Sequence, residues 1–193
     1  MKLQDRLPDG VTVDGKFYRM DFDFRNVLRM LDVLDEDLMP EAKAYNALKC
    51  LCRRPRNAEK VCEAVKALLF RGAHRKPGQK VTDWTQDAPL IRAAFRQAYG
   101  IDLYRERLHW IEFTELMSAI PSGNRYSEIV GIRAREIPAP TNWNQKEREW
   151  LIRAKADVAL ETTEAEQKEQ YARDAANIGR LLMSMAEGSD GNG

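Results

Sequence analysis

Apolar residues recur at steps of three and four along most of this chain, a period that selects helices packed on helices. Asp23 can cap a first helix that carries Val27, Leu28, Leu31, Leu34 and Leu38 on one face. Pro40 suits the first turn of a second helix, with Tyr45, Leu48 and Leu51 inward, ending near Arg53-Arg54-Pro55. Asn57 can cap a third, with Val61, Cys62, Val65, Leu68 and Leu69 on one side. Asp87 and Pro89 open a fourth, which buries Leu90, Ile91, Ala94, Phe95 and Ala98 and stops at Gly100. A fifth runs from Leu108 to Ile120 and is ended by Pro121-Ser122-Gly123-Asn124. A short helical turn from Ser127 to Arg133 precedes the stiff spacer Ile137-Pro138-Ala139-Pro140. The exception to the helical period is the start, where Val11-Thr12-Val13 and Lys16 to Met20 flank Asp14-Gly15, the signature of a two-residue hairpin turn.

Asn144 and Glu147 have capping-box spacing for a final helical region, whose first part, Trp150, Leu151, Ala154 and Val158, is expected to dock on the domain. Its second part is more polar, yet Tyr171, Ala175, Ile178, Leu182 and Met185 alternate by four and three. That seam covers two heptads and suits packing against the body or against another chain's helix. Residues 187–193 read as a frayed tail. The expected fold is mainly α: an N-terminal β-hairpin, a compact bundle of about six helices, and a long C-terminal helical extension. The domain is drawn over residues 1–160, and the extension over 161–193.

A chain of 193 residues with 44% hydrophobic content can bury roughly 70% of its unfolded surface, enough to fold without disulfide or metal staples. No apolar run approaches the roughly 18 residues of a membrane helix, and the N-terminus lacks an apolar signal core. The expectation is a soluble, unexported protein without membrane contact.

Chemistry-bearing residues are sparse. Cys50, Cys52 and Cys62 are close in sequence, but a one-residue gap is too short for the usual turn between zinc ligands, which favours free thiols packed as small hydrophobes. Of the two histidines, His74 lies in a basic loop and His109 on an apolar stretch, where packing is the commoner role. Phosphate-loop, dinucleotide, nucleophile-elbow and zinc-protease motifs are absent. The expectation is a protein that is not an enzyme and has no catalytic residue, cofactor or metal.

The formal net charge of +1 is a cancellation. Residues 1–42 carry a balance of −4, residues 43–80 carry +9 and residues 81–193 carry −4. The basic stretch can meet a nucleic acid or an acidic partner, or neutralise the protein's own acidic flanks. Its candidate patch is Arg53, Arg54, Arg56, Arg71, Arg75, Lys76 and Lys80. Phe70, the aromatic just before its loop, follows Leu68-Leu69 and is expected in the core, so the stacking platform of single-strand binders is missing.

Gln97-Ala98-Tyr99-Gly100-Ile101-Asp102-Leu103, followed by Leu108-His109-Trp110-Ile111-Glu112-Phe113, resembles the bacteriophage gene-product-15 family of siphophages and prophages. Ile120-Pro121 and Ile129-Val130-Gly131-Ile132-Arg133 follow in the family's order. Leu7-Pro8, Val13-Asp14-Gly15-Lys16, Asp23-Phe24-Arg25 and Gln86-Asp87 are similar to its opening and middle, so the resemblance covers about Leu7 to Leu160. The basic loop from Arg71 to Lys80 and the region from Glu161 onward depart from it.

The resemblance implies a protein encoded between the major tail protein and the tape-measure protein, where tail assembly chaperones usually lie. It further implies a helical chaperone that coats the apolar surface of the tape-measure protein in the bacterial host cytoplasm. Such a chaperone is displaced during tail-tube polymerisation and is absent from the finished virion. It brings no catalytic residues. The alternatives are a phage nucleic-acid-binding protein and a structural component of the virion tail. A chaperone of this kind needs apolar grooves for an amphipathic client helix. Candidate contributors are Trp110, Phe113 and Met117 in the middle, and Tyr171, Ile178, Leu182 and Met185 on the extension, which also offers self-association. For His109 and Trp110 both core packing and an exposed patch are open. Gly100 is expected at a helix end and Asp102 at the cap of the next helix.

Overall fold

The computed structural model describes residues 4–70, 80–141 and 143–161. A hairpin of β1 (Gly10–Val13) and β2 (Lys16–Arg19) pairs antiparallel, with Val13 opposite Lys16. The turn has positive φ at both Asp14 and Gly15, 51° and 72°, matching the right-handed twist of the strands. Among the described residues seven helices follow: α1 (Phe24–Asp35), α2 (Pro40–Lys49), α3 (Ala58–Leu69), α4 (Ala88–Tyr99), α5 (Trp110–Ser118), α6 (Arg125–Ala134) and α7 (Gln145–Asp157). The expected mainly α architecture with an N-terminal hairpin is what the chain adopts. The seam at Tyr171, Ile178, Leu182 and Met185 lies outside the described residues.

α2 packs between α1 and α3, and β1 lies on α3. α4 contacts α6, which contacts α7, while α5 contacts α1 and joins the two groups. One continuous core results, from Val11 and Met20 through Val27, Leu48 and Val65 to Phe95 and Phe113.

Several inward faces are narrower or rotated relative to the expectation. Leu38 lies beyond α1, because Glu36 turns extended at ψ 150° and Pro40 restarts the chain; Phe24 and Met30 bury instead. In α2, Tyr45 is exposed, and Ala44, Ala47 and Leu48 face inward; two alanines let this middle helix sit close to both neighbours. The turn read at Ser127 is a full ten-residue helix. Asn124 caps it by accepting from the Ser127 N–H at 2.9 Å.

Capping also departs from the local reading. Asp23 accepts from the Arg25 N–H as expected. Asn57 is left-handed, and its amide donates to Asp14 instead of capping α3. The Asn144–Glu147 box does not form: Asn144 Oδ1 accepts from the Thr141 N–H, and Glu147 pairs with Arg135 at 2.6 Å. Asp102 organises a turn, accepting from the Tyr104 N–H, rather than capping a helix. Gly100 does close α4, in the left-handed conformation at φ 71°.

Candidate partner-docking surface

α5 supplies the aromatic centre of the core. Trp110 and Phe113 lie three residues apart, hence on one face. Phe113 stacks on Phe24 of α1 at 4.6 Å and on Phe95 of α4 at 5.2 Å. Trp110 meets Phe70 and Trp84 near edge-on, at 5.9 and 6.1 Å. Its exposure is 3% and that of Phe113 is 2%, while Met117 is partly buried against the same core. Trp110 and Phe113 are therefore core residues: these rings close the junction of three helices. Among the described residues, Trp110 Nε1 is the one buried side-chain polar atom without a hydrogen-bond partner.

His109 is a structural cap. Its Nδ1 accepts from the Ile111 N–H at 3.1 Å, and its Nε2–H donates to the Pro8 carbonyl at 2.9 Å. One ring nitrogen accepts and the other donates, so the imidazole is the neutral Nε2–H tautomer. The same residue bridges Asp23 across a short antiparallel contact, with Phe24 N–H donating to Leu108 O and Trp110 N–H to Phe22 O.

Charged side chains pin this contact. Arg107 binds both oxygens of Asp21 at 2.7 and 2.8 Å and reaches Asp23 at 3.1 Å. Arg25 spans from Asp23 to the Leu103 and Glu106 carbonyls, each at 2.7 Å. Burial alone would raise the Asp21 carboxyl. The hydrogen bonds from Arg107 and the Asp23 N–H, with the Arg107 charge, outweigh it and hold the group below the ordinary range. The shallow recess beside them, lined by Leu7, Pro8, Asp21, Arg107 and His109, is thus made of groups already committed to one another.

A second polar node escaped the local reading. Asp87 is 1% exposed and does not cap α4 with its side chain. Its Oδ2 accepts from Arg133 at 2.7 Å and from the Asp83 N–H at 2.9 Å. Arg133 also donates to the Val158 and Val81 carbonyls at 2.6 and 3.1 Å. The node ties α4, α6, the end of α7 and the chain before α4. Its partners are 46 residues apart, beyond any spacing rule.

The basic block is partly spent on the protein's own acids. Lys60 pairs with Asp14 at 3.0 Å and Lys80 with Asp83 at 2.9 Å; Lys66 pairs with Glu63. Arg53, Arg54 and Arg56 are exposed. Arg71, Arg75 and Lys76 lie outside the described residues. Cys62 is 2% exposed, and burial raises all three thiols above their usual value, as expected of packed thiols. Among the described residues no helix is long and apolar enough to cross a membrane, and no group of three or more His, Cys, Asp or Glu is placed to hold a metal.

The exposed apolar surface lies elsewhere. In α7, Leu151 is fully buried, but Trp150 is 54% exposed, contrary to the expectation that both dock; they differ by 100° around the helix. Trp143, just before α7, is 96% exposed, and Ile137 and Ile152 are 43% and 45% exposed. Trp150 and Leu151 line a groove with Ser127, Glu128, Gly131, Ile132 and Arg135 of α6 and its end. Of these exposed side chains, Trp150 lies at the groove.

The family model described as Bacteriophage Gp15 protein matches residues 3–160. The chain belongs to the bacteriophage Gp15 family. Membership makes it a phage structural or morphogenesis protein, and the match takes in every helix described above, including α6, α7 and the groove between them. No curated protein and no solved structure matches it.

Proposed function

We propose that this Gp15-family protein acts by binding rather than by catalysis, as a tail assembly chaperone. It holds the tape-measure protein in the host cytoplasm and is released as tail-tube subunits polymerise around that client. Family membership over residues 3–160 is the observation that carries this reading. Trp150, half exposed beside the α6–α7 groove, supports it, since an amphipathic client helix needs apolar anchors at a groove. The aromatic centre of α5 takes no part in this contact; it holds the scaffold.

Co-expression with the tape-measure protein of the same phage tests the reading. The client is expected to stay soluble and copurify with the chaperone, and the chaperone is expected to be missing from purified particles by mass spectrometry. A client that precipitates regardless, or a stoichiometric signal in the particle, overturns it, the second in favour of a structural tail component.

A further inference from the structure

Six basic side chains lie from Lys49 to Lys66, and three of them are committed within the chain. Lys49 sits over the Tyr45 ring, 5.7 Å from its centre, Lys60 pairs with Asp14 and Lys66 with Glu63. Arg53, Arg54 and Arg56 are exposed on the loop between α2 and α3, and none makes an ion pair or a side-chain hydrogen bond among the described residues. The loop itself is held. At its start the carbonyl of buried Leu51 accepts from the Asp21 N–H, just after β2, and at its end the Asn57 amide donates to Asp14 of the hairpin turn.

Matching acids stand at the other end of α2. Asp35 ends α1, Asp37 lies in the turn and Glu41 opens α2; all three are exposed and unpaired among the described residues. The ten residues of α2, about 15 Å of helix, keep this corner and the arginine loop from pairing with each other. Met39, between Asp37 and Glu41 in sequence, is 77% exposed and gives the acidic corner an apolar tip. Each corner gathers charges of one sign that repel one another, and opposite charge from outside the chain relieves that repulsion.

We infer that the arginine loop of one copy binds the acidic α1–α2 corner of a second copy of this chain. Charge complementarity selects that occupant. A nucleic acid would neutralise the arginines but be repelled by the acidic corner of the same bundle, and the loop holds no aromatic ring for a base to stack on. A second copy satisfies both corners, because each copy carries one of each sign. Arginine suits the task, since its planar fork of donors matches a carboxylate. The contact shares no residue with the α6–α7 groove, so it stands whichever protein that groove takes.

Sedimentation equilibrium of the full chain across salt tests it. With about 0.2 mM protein in about 50 mM salt, the weight-average mass is expected to exceed that of the monomer by at least half. It should return to the monomer mass in about 1 M salt, where the screening length is about 3 Å. Arg53→Glu/Arg54→Glu and Asp35→Lys/Asp37→Lys change only exposed side chains, so each alone is expected to be monomeric at low salt with an unchanged circular dichroism spectrum. Mixed one to one, the two variants are expected to associate again, because the reversed loop of the first meets the reversed corner of the second with opposite sign. An unaltered chain that stays monomeric at low salt overturns the inference. So does association that persists in either variant or grows with salt, which would place the contact on an apolar face. Retention of a DNA duplex without self-association, lost in Arg53→Glu/Arg54→Glu, overturns it in favour of phosphates on the loop.

Discussion

Arg133 and Asp87 are the charges this fold can least spare. Arg133 is 8% exposed and Asp87 1%, and the bond between their side chains is supplemented by the Val81 and Val158 carbonyls and the Asp83 N–H. Removing one member of a buried pair leaves the other charged and desolvated, at a cost of about 3–5 kcal/mol. Arg133→Met alone is expected to lower stability by that amount in urea denaturation. The double variant Arg133→Met/Asp87→Leu should recover part of the loss, since no unpaired charge is left. A double variant less stable than the single would mean the network, not the stranded charge, sets the cost.

Asp21 carries the acid sensitivity at the same scale. Its folded carboxyl titrates below the ordinary value of about 3.9, so its contribution is present above that pH and is lost as pH falls through the folded value. Asp83 and Asp102 are lowered in the same direction. Urea midpoints are expected to drop below about pH 4, and Asp21→Asn should make that acid limb shallower. Arg107 and Asp21 are largely solvated, so added salt should shrink the difference between the two proteins.

Among the elements, α5 shows how one residue sets both the start of a helix and its place in the fold. His109 caps the helix with Nδ1 and holds the N-terminal arm at Pro8 with Nε2. His109→Ala is expected to cost about 0.5–2 kcal/mol, the usual range for a lost cap. His109→Asn retains a capping oxygen but cannot span to Pro8, so its loss in urea denaturation should be smaller. Equal losses would assign the energy to the Pro8 contact. The caps also show where local reading stops. Asp23 and Gly100 do what their types favour, because their partners are the next residues along. Asn57, Asp87 and Asn144 have the right type at the right place, yet each gives its side chain to a group off its own helix.

For the whole molecule, the order of elements was legible because hydrophobic period and turn chemistry act within a few residues. The Asp-Gly hairpin, the Pro-led α2 and α4 and the apolar faces of α3 and α4 are all written that way, and the family motifs around Gly100 and Trp110 lie in the same local register. The site was less legible. Trp110 and Phe113 resemble partner-binding anchors in isolation, and only the convergence of α1, α4 and the end of α3 on α5 turns them into core. Trp150 looks equally apt for burial and is left in water, because Leu151 takes the inward position and α6 presents Gly131 beside it. What the sequence alone determined is therefore the helical class, the hairpin, the family and the apolar period of residues 171–185. Tertiary structure decided which aromatic rings are buried, which acid meets which base across 46 or 86 residues, and where an open groove remains. The physical reason is range: backbone preference and amphipathic period are properties of neighbouring residues, whereas burial and ion pairing depend on which distant surfaces meet.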